Sequence, residues 1–175
     1  MQPGDIIGRT LKSLKDRLEH GHLQLQVEGG YIYEAKCTFY DPVLDYDLEQ
    51  FMGKINVQLP VDYIQFLKNT NGCRLFDDVM FGGEAVLFSL QEIIKFHDEN
   101  NNDYLKIASI YQDKIYFDMK SISNRQGNYI MVGDYQEYRP LNMNFELWFD
   151  RLVTSQGAKF WEWTWDSAEH YYKRR

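Results

Sequence analysis

With 175 residues, 44% of them hydrophobic and 26% charged, the chain is long enough for one well-buried domain and too short for two ordinary ones. That composition excludes the disordered and collagen-like classes. Nineteen basic against 26 acidic side chains leave a net charge of −7, which argues against a general affinity for DNA, RNA or anionic membranes and favours a basic partner.

The two cysteines, Cys37 and Cys73, stand in neither a metal-like nor a redox-like spacing, so the expected setting is a reducing cytoplasm. The opening residues hold no apolar core of signal-peptide length, and no stretch approaches the ~18 uninterrupted apolar residues of a membrane helix. A soluble cytoplasmic protein is expected.

Ile7, Leu11, Leu14 and Leu18 mark one face of an amphipathic helix, with Gly21 placed to end it. Leu23, Leu25 and Val27, then Tyr31, Tyr33, Ala35, Cys37 and Phe39, alternate with polar residues across Glu28-Gly29-Gly30 and predict a β-hairpin. From Leu44 the period becomes helical: Leu44, Leu48, Phe51 and Ile55 follow the acidic run Asp41, Asp45, Asp47 and Glu49, charges that suit a helix N-terminus. Pro60 presets the next helix, Tyr63, Phe66 and Leu67 form its stripe, and Asn71-Gly72 supplies a left-handed stop.

Ala85–Phe88 reads as a short strand, Leu90–Phe96 as a helix, and Asp98–Asp103 as a polar loop. Leu105–Tyr111, Ile115–Met119 and Tyr129–Val132 read as strands of an antiparallel meander. Phe145, Trp148, Phe149 and Leu152 predict a last helix between Asn144 and Gly157, and Trp161, Trp163 and Trp165 alternate as a strand does. The expected fold is α+β: a single domain with a mainly antiparallel sheet flanked by helices, plus an N-terminal helix and β-hairpin. Residues 1–40 form that addition and 41–175 the main unit.

The segment Leu48–Phe76, through Leu59, Pro60, Tyr63, Phe66, Leu67, Asn71 and Gly72, resembles the opening signature of the SUKH superfamily. The strand LKIASI, the turn at Gln112-Asp113, the strand IYFDM with Asp118, and the helix FELWFDRL are similar to that family's later blocks, so the resemblance spans roughly residues 44–165. Two features depart from it: the N-terminal helix and hairpin are longer than a minimal domain has, and the glycine-rich stretch is reduced to Gly82-Gly83. The resemblance implies an α+β domain that binds proteins, as bacterial immunity proteins bind a cognate toxin, often a nuclease, and as fungal regulators of cell-wall assembly bind theirs.

For chemistry the residues offer little. His20 and His22 flank a turn without a third ligand, His97 precedes a polar loop, and His170 lies near the end. No nucleophile elbow surrounds a serine or cysteine, and Gly82-Gly83 lacks the spacing of a phosphate loop. Asp98–Asp103 lacks the central glycine and terminal glutamate of an EF-hand loop. No cofactor and no metal are expected. Carboxylates are abundant enough for a paired-acid hydrolase, but nothing in the sequence pairs them.

What remains is acidic side chains beside aromatics: Asp77, Asp78 and Glu84; Asp134, Tyr135, Glu137 and Tyr138; and Glu162 and Asp166 among the tryptophans. Carboxylates steer a basic partner, and tyrosine and tryptophan supply rigid contact area. The first two groups are the expected partner-binding residues, and the expected function is an immunity protein that occludes a cognate basic toxin without catalysis, needing neither nucleic acid nor membrane. The alternatives are a regulatory interaction module of the cell-wall assembly type and a carboxylate hydrolase. Oligomeric state is open.

Overall fold

The computed structural model describes residues 2–83, 85–97, 102–133 and 137–165, with 167, 169 and 173. The first apolar stripe forms α1 (Asp5–Asp16), burying Ile7, Leu11 and Leu14. The hairpin follows as β1 (His22–Gln26) and β2 (Ile32–Phe39). Helices α2 (Asp45–Ile55) and α3 (Val61–Leu67) are the two read from the sequence, with Pro60 at the α3 N-cap. Asn71-Gly72 does not cap α3, which ends at Leu67. Instead the Asn71 carboxamide oxygen accepts from the Leu90 N–H, and Gly72, at φ +86°, passes so close to Leu87 that a Cβ would lie 2.6 Å from its carbonyl oxygen. The pair ties the incoming strand to the next helix.

Strand β3 (Cys73–Asp78) leads into β4 (Ala85–Leu87), α4 (Leu90–Phe96), β5 (Tyr104–Ile110), β6 (Asp113–Asp118), α5 (Met119–Ser123), β7 (Ile130–Gly133), β8 (Tyr138–Pro140) and α6 (Phe145–Thr154). Among the described residues, eight strands form one antiparallel sheet in sequence order. This is the expected α+β architecture. A second expectation fails: the alternating tryptophans do not form a strand but lie in a 3-10 helix, Phe160–Trp165, in which Trp161 turns inward and Trp163 half outward. The spacing of two was accidental; the segment is held by its contacts with Asp113.

A meander in strict order separates its connections. The β1–β2, β3–β4, β5–β6 and β7–β8 links fall at one end of the sheet, while α2, α3, α4 and α5 occupy the links at the other. One face of the sheet carries the core, under α1, α3 and α6, which pack on one another. There Tyr63, Phe66, Phe117, Phe145 and Phe149 interlock with ring centroids 4.8–6.1 Å apart. The other face is solvated.

Among the rings sits a carboxylate. Asp62, 2% exposed, accepts through Oδ1 from the Tyr63 N–H and the Tyr129 hydroxyl (2.5 Å), and through Oδ2 from the Glu146 N–H (2.9 Å). Glu146 in turn accepts the Ile6 N–H at 2.8 Å. These bonds join the first turns of α1, α3 and α6 to Tyr129, just before β7, and supply partners for helix N–H groups that have none within their helices. Burial, reinforced by the Asp62 charge, pushes the Tyr129 hydroxyl far above the ordinary tyrosine range, so it remains a donor.

Helix α4 begins with a capping box: Ser89 Oγ accepts from the Glu92 N–H (3.2 Å) and Glu92 Oε2 from the Ser89 N–H (2.8 Å). Ser89→Ala is expected to cost about 1 kcal/mol in a urea unfolding titration. A cost below about 0.3 kcal/mol would show that tertiary contacts alone hold this end.

Candidate functional site: the turn end of the sheet

The connection between β3 and β4 is built as a rigid tip. Asp78 and Gly82 exchange backbone hydrogen bonds at 3.2 and 2.7 Å, and Asp78 Oδ1 accepts from the Met80 and Phe81 N–H groups at 2.7 and 3.1 Å. The aspartate thus supplies the turn with the acceptor that its backbone lacks. Val79 is anchored by its N–H to the Glu34 carbonyl at 3.2 Å. The result is a fixed projection of apolar side chains: Met80 is 80% and Phe81 87% exposed.

Just before the tip, β3 is kinked at Phe76, which has φ +58° and lies in a bulge where Leu75 and Phe76 of β3 stand against the single residue Cys37 of β2. The Phe76 ring then packs against Gly157, where a Cβ would stand 2.8 Å from the ring. Gly157, at φ +86°, therefore serves the close approach of the chain after α6 to the sheet. That chain carries the 3-10 helix, which Asp113 pins: Lys159 Nζ donates to Asp113 Oδ1 and Trp161 Nε1 to Asp113 Oδ2, both at 2.9 Å. Trp163 is left 49% exposed, near Tyr111 of the β5–β6 turn, itself 41% exposed.

Between these elements lies a shallow groove of about 540 Å³, bounded by Val27, Tyr33, Phe76, Phe81, Tyr111 and Trp163, with Glu28 and Asp78 at its edge. Burial, followed by the neighbouring Tyr111 and Asp78, raises the Tyr33 pKa and keeps its hydroxyl protonated. The arrangement offers rings, tyrosine hydroxyls and carboxylates, the chemistry of a protein-docking surface.

The sequence-derived residues fall unevenly around it. Asp78 shapes the tip and borders the groove. Asp77 is half-buried in β3, where its Oδ2 accepts from Arg74 Nε at 2.9 Å, while Arg74 also donates to the Gly83 carbonyl. It stabilises the hairpin from behind. Glu84, Asp134 and Tyr135 lie outside the described residues, as does Asp98–Asn101 of the polar loop. Glu137 precedes β8; Tyr138, its first residue, stacks on Tyr104 at 4.1 Å and meets Tyr116 edge-on at 5.0 Å, within a tyrosine cluster on the solvated face. Sequence reasoning missed Val79, Met80, Phe81 and Tyr111. The signal was present in part: three successive apolar residues between Asp77-Asp78 and Gly82-Gly83 cannot all face a core.

Other chemistry is sparse. His22 pairs through Nδ1 with Glu34 Oε1 at 3.0 Å, and among the described residues no three His, Cys, Asp or Glu side chains converge on a metal position. Cys37 and Cys73 are free and buried; burial raises both thiols, and the neighbouring Cys37 raises Cys73 further. Because the thiolate is the reactive form, neither cysteine is expected to react with a disulfide reagent such as DTNB in the native protein at mildly alkaline pH, and both are expected to react in guanidinium chloride. Fast native labelling of either would show an open path to the core.

A model of the SMI1 / KNR4 family (SUKH-1) matches residues 42–173. The chain is also 33% identical to uncharacterized protein YobM of Bacillus subtilis (strain 168), over 98% of this chain and 99% of that one. A second relative, uncharacterized protein YnaB of the same strain, is 28% identical over 80% of this chain and 96% of its own. The family match begins after β2, so the groove combines the β1–β2 turn, outside the match, with the β3–β4 and β5–β6 turns and the 3-10 helix inside it. On these matches, which agree with the signature around Leu59-Pro60 and Asn71-Gly72, the chain belongs to the SMI1/KNR4 (SUKH-1) family.

Proposed function

We propose that this protein is a cytoplasmic immunity protein that neutralises a cognate basic toxin, a nuclease being the type its charge suits best, by docking the turn end of its sheet over the toxin's substrate-binding face. No bond is made or broken. The observation that carries this reading is the rigid, solvent-facing tip at Met80 and Phe81, whose Phe81 lines one groove with Trp163 and Tyr111. Soluble proteins rarely expose a contiguous apolar patch without a partner for it. Glu28 and Asp78 line the groove and the exposed Glu162 precedes Trp163, whereas the cations Arg74 and Lys159 are engaged by Asp77 and by Asp113 and Glu162. A face of that sign speeds encounter with a basic surface and opposes phosphate at the same place.

Among the described residues no helix is long and apolar enough to cross a membrane. Asp77, Asp78, Glu84, Asp134, Tyr135, Glu137 and Tyr138 remain proposed contributors, with Phe81, Met80, Tyr111 and Trp163 placed at the centre. The test is co-expression with a toxin domain encoded beside this gene. Growth should be rescued and a complex should survive purification at moderate salt; absence of both overturns the proposal.

A further inference from the structure

The solvated face of the sheet has the opposite character from the turn end. On β5 and β6 its residues are Tyr104, Lys106, Ser109, Lys114, Tyr116 and Asp118, in the register Lys106 opposite Tyr116 and Ser109 opposite Lys114. The Lys106 ammonium lies 4.8 Å from the centroid of the Phe96 ring, and Lys95 lies 5.8 Å from the same ring. Lys114 donates to Ser109 Oγ at 2.7 Å.

Among the described residues none of these three lysines forms an ion pair, in contrast to Lys12, Lys68, Lys159 and Lys173, each within 4 Å of a carboxylate. Of the acids on the same elements, Glu92 is consumed by the Ser89 cap, Asp113 by Lys159 and Trp161, and Asp118 by the backbone and hydroxyl of Ser121. Burial, and then the charge of Lys114, pulls the Lys106 pKa below the ordinary lysine range, so among the described residues like charges share this ground without an ion-pair partner.

We propose that the Lys95–Phe96–Lys106–Lys114 strip, with the adjoining tyrosines Tyr104, Tyr116 and Tyr138, is a second docking surface whose occupant is an acidic segment of a partner protein. Charge complementarity selects an anionic occupant. The protein's overall negative charge then favours a short carboxylate-bearing segment over nucleic acid, whose polyanionic backbone the rest of the molecule repels. Phe96, 41% exposed between two ammonium groups, supplies apolar contact beside the charges. This surface does not rest on the toxin-binding reading, which uses the other sign of charge and shares only Tyr138 with it.

The test uses the purified protein, a fluorescently labelled deca-glutamate peptide and, in parallel, labelled dT10. The peptide is expected to bind saturably at low salt and to weaken as salt rises, and Lys95→Glu, Lys106→Glu and Lys114→Glu together are expected to lower its affinity at least about tenfold. In the unsubstituted protein, amide chemical shifts should move at Lys106, Ser109, Lys114 and Tyr116 and not at the tip, a readout independent of the variant's folding. No saturable binding, equal affinity in the triple variant, shifts confined to other surfaces, or tighter binding of dT10 than of the peptide would each overturn the proposal.

Discussion

Phe81→Asp is expected to weaken binding of the cognate toxin by roughly 30- to 1,000-fold, or about 2 to 4 kcal/mol, while leaving the urea midpoint of the free protein unchanged. The two halves of this expectation come from one fact: the ring is almost fully exposed, so the fold gains nothing from it. An aromatic held at a fixed tip loses little freedom on docking, which is what distinguishes an anchor from a mobile surface residue. The aspartate also places a desolvated charge where the ring would sit. Trp163→Ala is expected to act in the same direction and more weakly, because only half of that ring is exposed. Titration calorimetry against the toxin domain at moderate salt checks both. Affinity unchanged in Phe81→Asp would remove the tip from the interface.

Asp62→Ala is expected to destabilise the protein by about 3 to 5 kcal/mol. Three donors lose their acceptor at once: the Tyr63 and Glu146 N–H groups and the Tyr129 hydroxyl. All are buried, so water does not replace the carboxylate. The loss is concentrated where α3 and α6 begin, and α1 is tethered to the same corner through Glu146 and Ile6. Since native domains are stable by only about 5 to 15 kcal/mol, this variant should be largely unfolded well below the melting temperature of the parent. Tyr129→Phe, which removes one donor and leaves the carboxylate its backbone partners, should cost only about 1 to 1.5 kcal/mol. Urea unfolding measures both, and a cost below about 1.5 kcal/mol for Asp62→Ala would mean that the network is dispensable.

Much of the fold was legible because most elements bury one regular stripe. The helix Leu90–Phe96 was read with its observed ends, Asn144 does cap α6 by accepting from the Leu147 N–H, and the hairpin strands alternate as the pattern required. Strand β3 was not read. It lies between two neighbours, and the left-handed Phe76 breaks its alternation, so that Cys73, Leu75 and Phe76 are all buried and neither period appears. Helix α5 is only five residues long and depends on the Asp118 cap. The tryptophans showed a period of two in a segment whose conformation is set by Asp113, distant in sequence.

The site was harder to see for a related reason. Acidic residues read as outward-facing from sequence, yet Asp77 and Asp78 spend oxygens on Arg74 and on the turn backbone. The exposed groups turned out to be apolar. Val27, Phe81, Tyr111 and Trp163 share a groove only because a meander in strict order brings alternate links to the same end, and because Gly157 lets the chain after α6 approach Phe76. No single window of sequence contains that juxtaposition.

Hydrogen exchange of the protein alone and in complex with the toxin domain reads the docking face directly. Protection is expected in the β1–β2 turn around Val27 and Glu28, at Val79–Gly82, at Tyr111 and in the 3-10 helix, with α2 and α4 unchanged. Protection centred on α2 or α4, with the tip at Phe81 exchanging as freely as before, would contradict the docking of the turn end.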